Sequence, residues 1–321
     1  MNYKIVTRLL NKIKKKNPKI LVIGDLMLDQ YVTGEVNRIS PEAPVPILNF
    51  QKEEAILGGA GNVVHNLFNL GADVRVASVI GDDLNGGSII NLLNRLEISS
   101  DLVFISKRVN TTKKTRFLTN GTQLLRVDHD SKGLIEEDLF LLKEKVIQNI
   151  ENIDSIVVSD YNKGVCSESF IQVLIAECNK MNKPIYIDPK GTDWRKYIGA
   201  TCITPNTNEV ENQLNLKLKT NSEFEKAAKL IKKKLQLQSC LITKGADGMT
   251  YYDDIRVIHQ KVEKKEVFDV SGAGDTVIAC LAASISSKLR LSEVLLLSSF
   301  ISSEVVSHVG TTPFNIHMID N

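Results

Sequence analysis

The chain has 321 residues, 43% hydrophobic and 24% charged, with a formal net charge of +2. That length and balance suit one large α/β unit with a sizeable core. The near-zero charge and 6% aromatic content exclude a strongly basic nucleic-acid binder, and no apolar run reaches the roughly 18 residues of a membrane span.

In chain order, Ile5, Val6, Leu9, Leu10 and Ile13 fall on one helical face, which predicts an amphipathic N-terminal helix packed on the body. Lys12 and Lys14 to Lys16 then form its solvated face, and membrane attachment is the weaker alternative. There is no signal-peptide pattern, so a cytoplasmic location is expected. The run Lys19 to Gly24, closed by Asp25, is continuously apolar, as in strands buried on both faces of a parallel sheet. Val74–Ile80, Ser155–Ser159, Pro184–Ile187, Thr201–Thr204 and Cys240–Thr243 repeat the pattern. Helix-period stretches lie between them: Gly61–Leu70, Gly87–Leu96, Glu136–Ile150, Ser169–Lys180 and Ser222–Leu235. Strand, polar end, helix, strand predicts a doubly wound, mostly parallel α/β sheet with helices on both faces, in which ligands bind beyond the carboxyl ends of the strands.

Two segments depart from this theme. Residues 31–51 alternate without helical period and contain three prolines, and residues 113–128 read as a hairpin turning at Asn120-Gly121. Together they predict a small antiparallel flap over one end of the sheet. No linker or repeat divides residues 1–321 into further domains. The five cysteines, Cys166, Cys178, Cys202, Cys240 and Cys280, form no CxxC pair and read as reduced, buried thiols. The scattered histidines offer no catalytic or zinc constellation.

The segment from Val267 to Thr276 carries the chemistry. Glycines at a helix start leave backbone N–H groups facing outward, where the helix dipole favours a phosphate-like anion. Asp275 beside such a site suits a base that takes the proton of a hydroxyl attacking a phosphoryl group. The alternative is a glycine-rich turn with Asp275 capping the helix.

Gly58-Gly59-Ala60-Gly61-Asn62 near one end and Asp269-Val270-Ser271-Gly272-Ala273-Gly274-Asp275-Thr276 near the other resemble the paired signatures of the ribokinase-type (PfkB) carbohydrate kinases in order and separation. Residues 24–29, 38–46 and 187–193 are similar to the D-glycero-β-D-manno-heptose 7-phosphate kinases within that superfamily. Some relatives carry a second nucleotidyltransferase domain, and the chain is expected to be the kinase half alone.

The resemblance implies a role for each matching residue. Asp275 would be the base, and the backbone of Gly272, Ala273 and Gly274 the anion hole. Asn206 and Glu209, in an Asn-x-x-Glu motif, would sit at the phosphates, with Glu209 holding Mg2+ through water. Read alone, the same pair is a capping box. Thr243, Gly245 and Gly248 would form the ATP loop, with residues 302–311 on the adenine side. Asp269 matches a position beside which some relatives bind a monovalent cation. On the sugar side stand Asp25, Asp29, Gly58, Gly59 and Asn62, since carboxylates accept from sugar hydroxyls.

A phosphorylated sugar also needs a cationic clamp. Arg38, Arg116, Lys163 and Lys190 are the candidates, with at least two expected to touch the phosphate. The implied reaction is ATP-dependent phosphorylation of the anomeric hydroxyl of heptose 7-phosphate, an early step toward ADP-heptose for lipopolysaccharide. The alternatives are another sugar acceptor (fructose 1-phosphate, tagatose 6-phosphate, ribose) and a catalytically silent sugar- or nucleotide-binding protein. A homodimer through the flap is expected, from the apolar set Val32, Val36, Val45, Ile47 and Leu48.

Overall fold

The structure is a computed structural model that describes residues 3–131, 133–134, 136–262, 268–308 and 310–318. Val267, which opens the glycine-rich segment, and Val309, on the expected adenine side, lie outside the described residues. Helix α1 (Tyr3–Lys16) buries Val6, Leu9, Leu10 and Ile13 and carries Lys14, Lys15 and Lys16 in the last turn, where cations suit the helix dipole. Ile5 sits at the edge of that stripe and is exposed.

Strand β1 (Lys19–Gly24) runs through the molecular centre and leads directly into a long hairpin, β2 (Leu26–Ile39) and β3 (Pro46–Gly59). The chain returns through α2 (Ala60–Asn69), β4 (Asp73–Gly81), α3 (Leu84–Arg95) and β5 (Leu102–Ser106). A second hairpin follows, β6 (Lys113–Thr119) and β7 (Thr122–His129), with Asn120 and Gly121 both at positive φ in its turn. Helix–strand alternation then resumes with α4 (Glu136–Asn149), β8 (Ser155–Ser159), α5 (Glu168–Lys180), β9 (Ile185–Asp188) and β10 (Cys202–Ile203). It continues through α6 (Thr207–Leu214), α7 (Asn221–Lys234) and β11 (Ser239–Thr243). The antiparallel strands β12 (Met249–Asp253) and β13 (Val257–Gln260) precede the closing helices α8 (Ala273–Ser286) and α9 (Leu291–Val305).

The described residues form a nine-stranded sheet in the order β13-β12-β11-β10-β9-β8-β1-β4-β5. All pairings from β11 to β5 are parallel, and β12 and β13 add an antiparallel edge. Alternation along β1 sends Ile20 and Val22 to a core shared with α1, α2, α8 and α9, and Leu21 and Ile23 to a second core under α4, α5 and α7. Strand order reverses between β1 and β8, which opens a crevice at their carboxyl ends. Gly24-Asp25 and Ser159-Asp160 stand at its two sides.

The flap is a separate four-stranded sheet, β3-β2-β6-β7. Each hairpin is antiparallel internally, and a parallel β2–β6 pairing joins the two, with Asp29 opposite Lys114 and Tyr31 opposite Arg116. The flap strands extend beyond the 31–51 segment to Leu26 and Gly59, so the flap is rooted in the crevice itself.

Burial predicts where the fold is sensitive. Phe170→Ala removes a ring 1% exposed and is expected to cost about 3–5 kcal/mol in denaturant unfolding. Phe50→Ala, at 64% exposure on the flap, is expected to stay within about 0.5 kcal/mol.

Candidate active site

The glycine-rich segment forms the N-terminus of α8. Gly272 is the N-cap in the left-handed region at φ 81°, and a Cβ there would lie 2.5 Å from Asn62 Nδ2. Both the backbone conformation and the close approach require glycine. Ala273 donates its N–H to Val270 O, while the N–H groups of Gly274 and Asp275 belong to the first turn, which has no intrahelical acceptor. These groups and the helix dipole make a cradle suited to an anion.

Asp275 is 3% exposed, and its carboxylate does not cap α8. Asn62 Nδ2 donates to Oδ2 at 2.8 Å, and the Tyr161 hydroxyl donates to Oδ1 at 2.9 Å and Oδ2 at 3.1 Å. The capping alternative therefore gives way to a buried carboxylate held by side chains from α2 and from the loop after β8. Burial pushes its pKa up to about 6, against the pull of the hydrogen bonds from Asn62 and Tyr161. That value leaves a carboxylate able to take a proton near neutral pH. Asn62 is itself fixed: Asn66 Nδ2 donates to its Oδ1 and backbone O, and Asn66 Oδ1 accepts from Phe314 N.

On one side of α8 lies a cavity of about 400 Å3. Asn206, Glu209, Thr243, Gly245, Gly248, Lys190 and Ser302 line it together with Ala273 and Gly274, so the expected nucleotide residues converge there. Asn206 and Glu209 form a complete capping box on α6: Asn206 Oδ1 accepts from Glu209 N, and Glu209 Oε2 accepts from Asn206 N. Glu209 Oε1 takes an ion pair with Lys190 at 2.7 Å. Asp188, half-buried in the wall of the same cavity, has a pKa pushed well up by desolvation and by the neighbouring Asp275 and Glu209 charges. Among the described residues, no three His, Cys, Asp or Glu side chains converge as a metal cluster.

The flap closes the other side. Asp29 and Arg116 form a buried ion pair at 2.9 Å, and the Arg116 guanidinium lies 5.2 Å from the Tyr31 ring centroid. Gly58 makes room for this pair, because a Cβ there would meet Asp29 Cγ at 2.6 Å. Gly59 is the N-cap of α2, against Asp25 O. Lys114, two residues before Arg116 and on the same face of β6, stands 5.3 Å above the Tyr161 ring, with its pKa lowered by burial.

Several residues expected at the site have partners of their own. The Asp25 carboxylate is already engaged by the backbone N–H groups of Tyr161, Lys163 and Val165, so it organises the loop after β8 instead of standing open to a sugar. Asn62 holds the Asp275 carboxylate. Lys190 lines the cavity beside Asn206 and Gly274 and does not lie beneath the flap. Lys163 pairs with Asp130 at 2.6 Å beside the loop. Arg38 is nine residues beyond Asp29 along β2 and exposed, about 30 Å away at the strand rise, so the fold does not bring it to this site within the chain. Asp269 has both oxygens bound, by Ser271 N and Gly310 N.

Tyr161, Lys114 and Asn66 escaped the sequence reading, and Asp160 and Asp188 received no individual role in it. The signal for Asp160 and Asp188 was present, as the polar residues closing two parallel strands. Lys114 could have been placed beside Arg116 by two-residue alternation in the hairpin. Nothing local marks Tyr161 or Asn66, whose partners Asp275 and Phe314 are more than 100 residues away.

The raised Asp275 pKa has a stability consequence. The folded state binds this proton more tightly than the unfolded chain does, so the charged carboxylate is destabilising above about pH 6. The penalty fades as pH falls through that value and is absent below the ordinary aspartate pKa. Asp275→Asn is expected to be more stable than wild type at pH 7.5 by about 1–3 kcal/mol. Thermal unfolding across pH should show the difference vanish near pH 3.5.

Comparison with known proteins places this geometry. A model of the pfkB family carbohydrate kinases matches residues 17–317. The bifunctional protein HldE of Sulfurimonas denitrificans is 40% identical over 309 residues, 96% of this chain and 65% of that protein. The chain thus spans just under two thirds of that relative's length. Phosphofructokinase-2 from Escherichia coli, solved with substrates and products, matches with a TM-score of 0.79 at 18% identity, covering 94% of this chain and 97% of that one. Arabidopsis thaliana ribokinase, solved with ribose and ATP, matches with a TM-score of 0.73 at 18% identity over the same shares. The chain belongs to the pfkB family and is an ATP-dependent carbohydrate kinase.

Proposed function

We propose that the chain transfers the γ-phosphoryl group of ATP to the anomeric hydroxyl of D-glycero-β-D-manno-heptose 7-phosphate, giving ADP and the 1,7-bisphosphate. The observation that carries phosphoryl transfer is the buried Asp275 carboxylate at the N-terminus of α8, beside backbone N–H groups suited to an anion. The heptose assignment rests on residues 38–46 and 187–193 and on the likeness to HldE.

In this reading ATP fills the cavity lined by Thr243, Gly245, Gly248 and Asn206, and Lys190 meets its phosphates. The donor chemistry fits Mg2+, which binds through few carboxylates and keeps several waters. Glu209 would hold it, and when bound it neutralises charge on the phosphates. Asp269 is the candidate beside a monovalent cation. The sugar lies under the flap, near Asp29, and Arg116, Lys163 and Lys114 supply the positive charge for its far phosphate. Asp275 takes the hydroxyl proton as the new O–P bond forms, the bond to the β-phosphate oxygen breaks, and ADP leaves. The Gly272–Gly274 backbone stabilises the transferring oxygens without reorganising. The flap keeps water, a competing acceptor, away.

A homodimer through the flap accompanies this reading, since Ile39, Val45, Phe50, Leu124 and Leu125 leave apolar surface exposed there. Among the described residues no helix is long and apolar enough to cross a membrane, and a cytoplasmic location suits an enzyme that uses ATP.

Coupled ADP release tests the proposal, with both anomers of the heptose phosphate, fructose phosphates and ribose as acceptors. Preference for the β heptose phosphate is expected. Preference for another sugar overturns the substrate, and no acceptor-dependent ADP overturns the kinase reading. Asp275→Asn should lower kcat on order 10²–10⁴-fold, and a variant that kept a tenth of wild-type kcat would remove Asp275 from the role of base.

A further inference from the structure

We propose that Tyr161 is a positioning residue that fixes the orientation and basicity of Asp275, and that Asp25 holds Tyr161 in place to do so. The proposal uses the kinase reading only for what Asp275 does once positioned.

The hydrogen-bond count assigns the two carboxylate oxygens different duties. Asp275 Oδ2 accepts from Asn62 and Tyr161, while Oδ1 accepts from Tyr161 alone. These are two donors, because the phenol shares its one hydrogen between both oxygens, so a carboxylate's roughly four acceptor positions leave room for an incoming hydroxyl, most of it on Oδ1, which Asn62 does not touch. Without the phenol, Asn62 alone would hold the carboxylate from one side and leave it free to turn about its Cβ–Cγ bond.

Tyr161 is built into place. Its backbone N–H donates to Asp25 Oδ2 at 2.9 Å, followed by those of Lys163 to Oδ2 and Val165 to Oδ1, each at 3.1 Å. The preceding residue is anchored too: Asp160 accepts from Asn162 N, from the Tyr197 hydroxyl and from Lys196 Nζ. Lys114 covers the ring from the flap. The loop that carries Tyr161 is therefore fixed at the carboxyl end of β1, at the switch point of the sheet, and the phenol spans from there to α8.

The charged groups around Asp275 divide by sign. Asp29 on β2 and Asp188 on β9 disfavour its charge, and Lys114 on β6 and Lys190 after β9 favour it. Tyr161 stays a donor throughout, because burial and the carboxylates of Asp275 and Asp188 push its own pKa well up. Removing the phenol oxygen takes a donor from the charged form of Asp275, so its titration should move to higher pH.

The test is Tyr161→Phe, read two ways. Carboxyl-carbon NMR, with Asp275→Asn to assign the resonance, follows the Asp275 midpoint directly and needs no turnover. The pH profile of kcat/KM, with separate KM values for ATP and sugar phosphate, follows its effect on chemistry. The midpoint and the acid limb are both expected about one pH unit higher, with kcat reduced and the ATP KM within about twofold of wild type, as for a group that acts in the chemical step. 3-Fluorotyrosine at position 161, a stronger donor of nearly the same shape, is expected to move the midpoint the other way and keeps the test open should the phenylalanine variant misfold. A midpoint unmoved by either change overturns the proposal. A wild-type enzyme that releases no ADP with any sugar, but whose Asp275 midpoint still moves in Tyr161→Phe, overturns the kinase reading and leaves the positioning role standing.

Discussion

The molecule is arranged around one unfavourable placement, a carboxylate buried at the start of a helix. The helix end favours negative charge there, and burial opposes it. Donors from two distant parts of the chain settle the balance, Asn62 from α2 and Tyr161 from the loop after β8. Much of the local structure serves to hold those donors. Asn66 fixes Asn62, Asp25 fixes the Tyr161 loop, and Gly272 gives the space in which Asn62 meets the α8 N-terminus. The sheet supplies the frame, since the reversal of strand order between β8 and β1 puts Asp25 and Tyr161 on either side of one crevice.

Two half-sites meet at α8. The half proposed for the nucleotide is a lined cavity in which one carboxylate, Glu209, is already engaged by its own helix cap and by Lys190. Capping and a water-mediated metal role are compatible there, because the cap uses Oε2 and a hydrated cation needs no direct bond to the same oxygen. The half proposed for the acceptor is roofed by the flap, where the buried Asp29–Arg116 pair welds the first hairpin to the second. Removing one partner of such a pair would leave an uncompensated buried charge. Arg116 is thus both a structural tie and, in the proposed reading, a cation on the acceptor side, and the two roles are inseparable in a single substitution.

The parallel strands were legible because continuous apolar runs such as residues 20–23 must be buried on both faces. The polar residues that close those strands were marked by the same pattern, and the Asn-Gly hairpin by turn residues that accept positive φ. What stayed hidden were partnerships across the chain. Asp25 and Asn62 are residue types that could serve a sugar, and only the fold reveals that their polar atoms meet the Tyr161 loop and Asp275. Arg38 lies in a distinctive segment, yet strand geometry carries it far along the flap. The parallel pairing of β2 with β6 escaped because each hairpin is patterned only for its own antiparallel turn.

The most direct measurement is a crystal structure with a non-hydrolysable ATP analogue and a sugar phosphate bound together. The account predicts the acceptor hydroxyl within hydrogen-bond distance of Asp275 Oδ1, with the terminal phosphate of the analogue against the N–H groups of Gly274 and Asp275. A hydroxyl bound away from Asp275, with the nucleotide's terminal phosphate outside the α8 cradle, would contradict it.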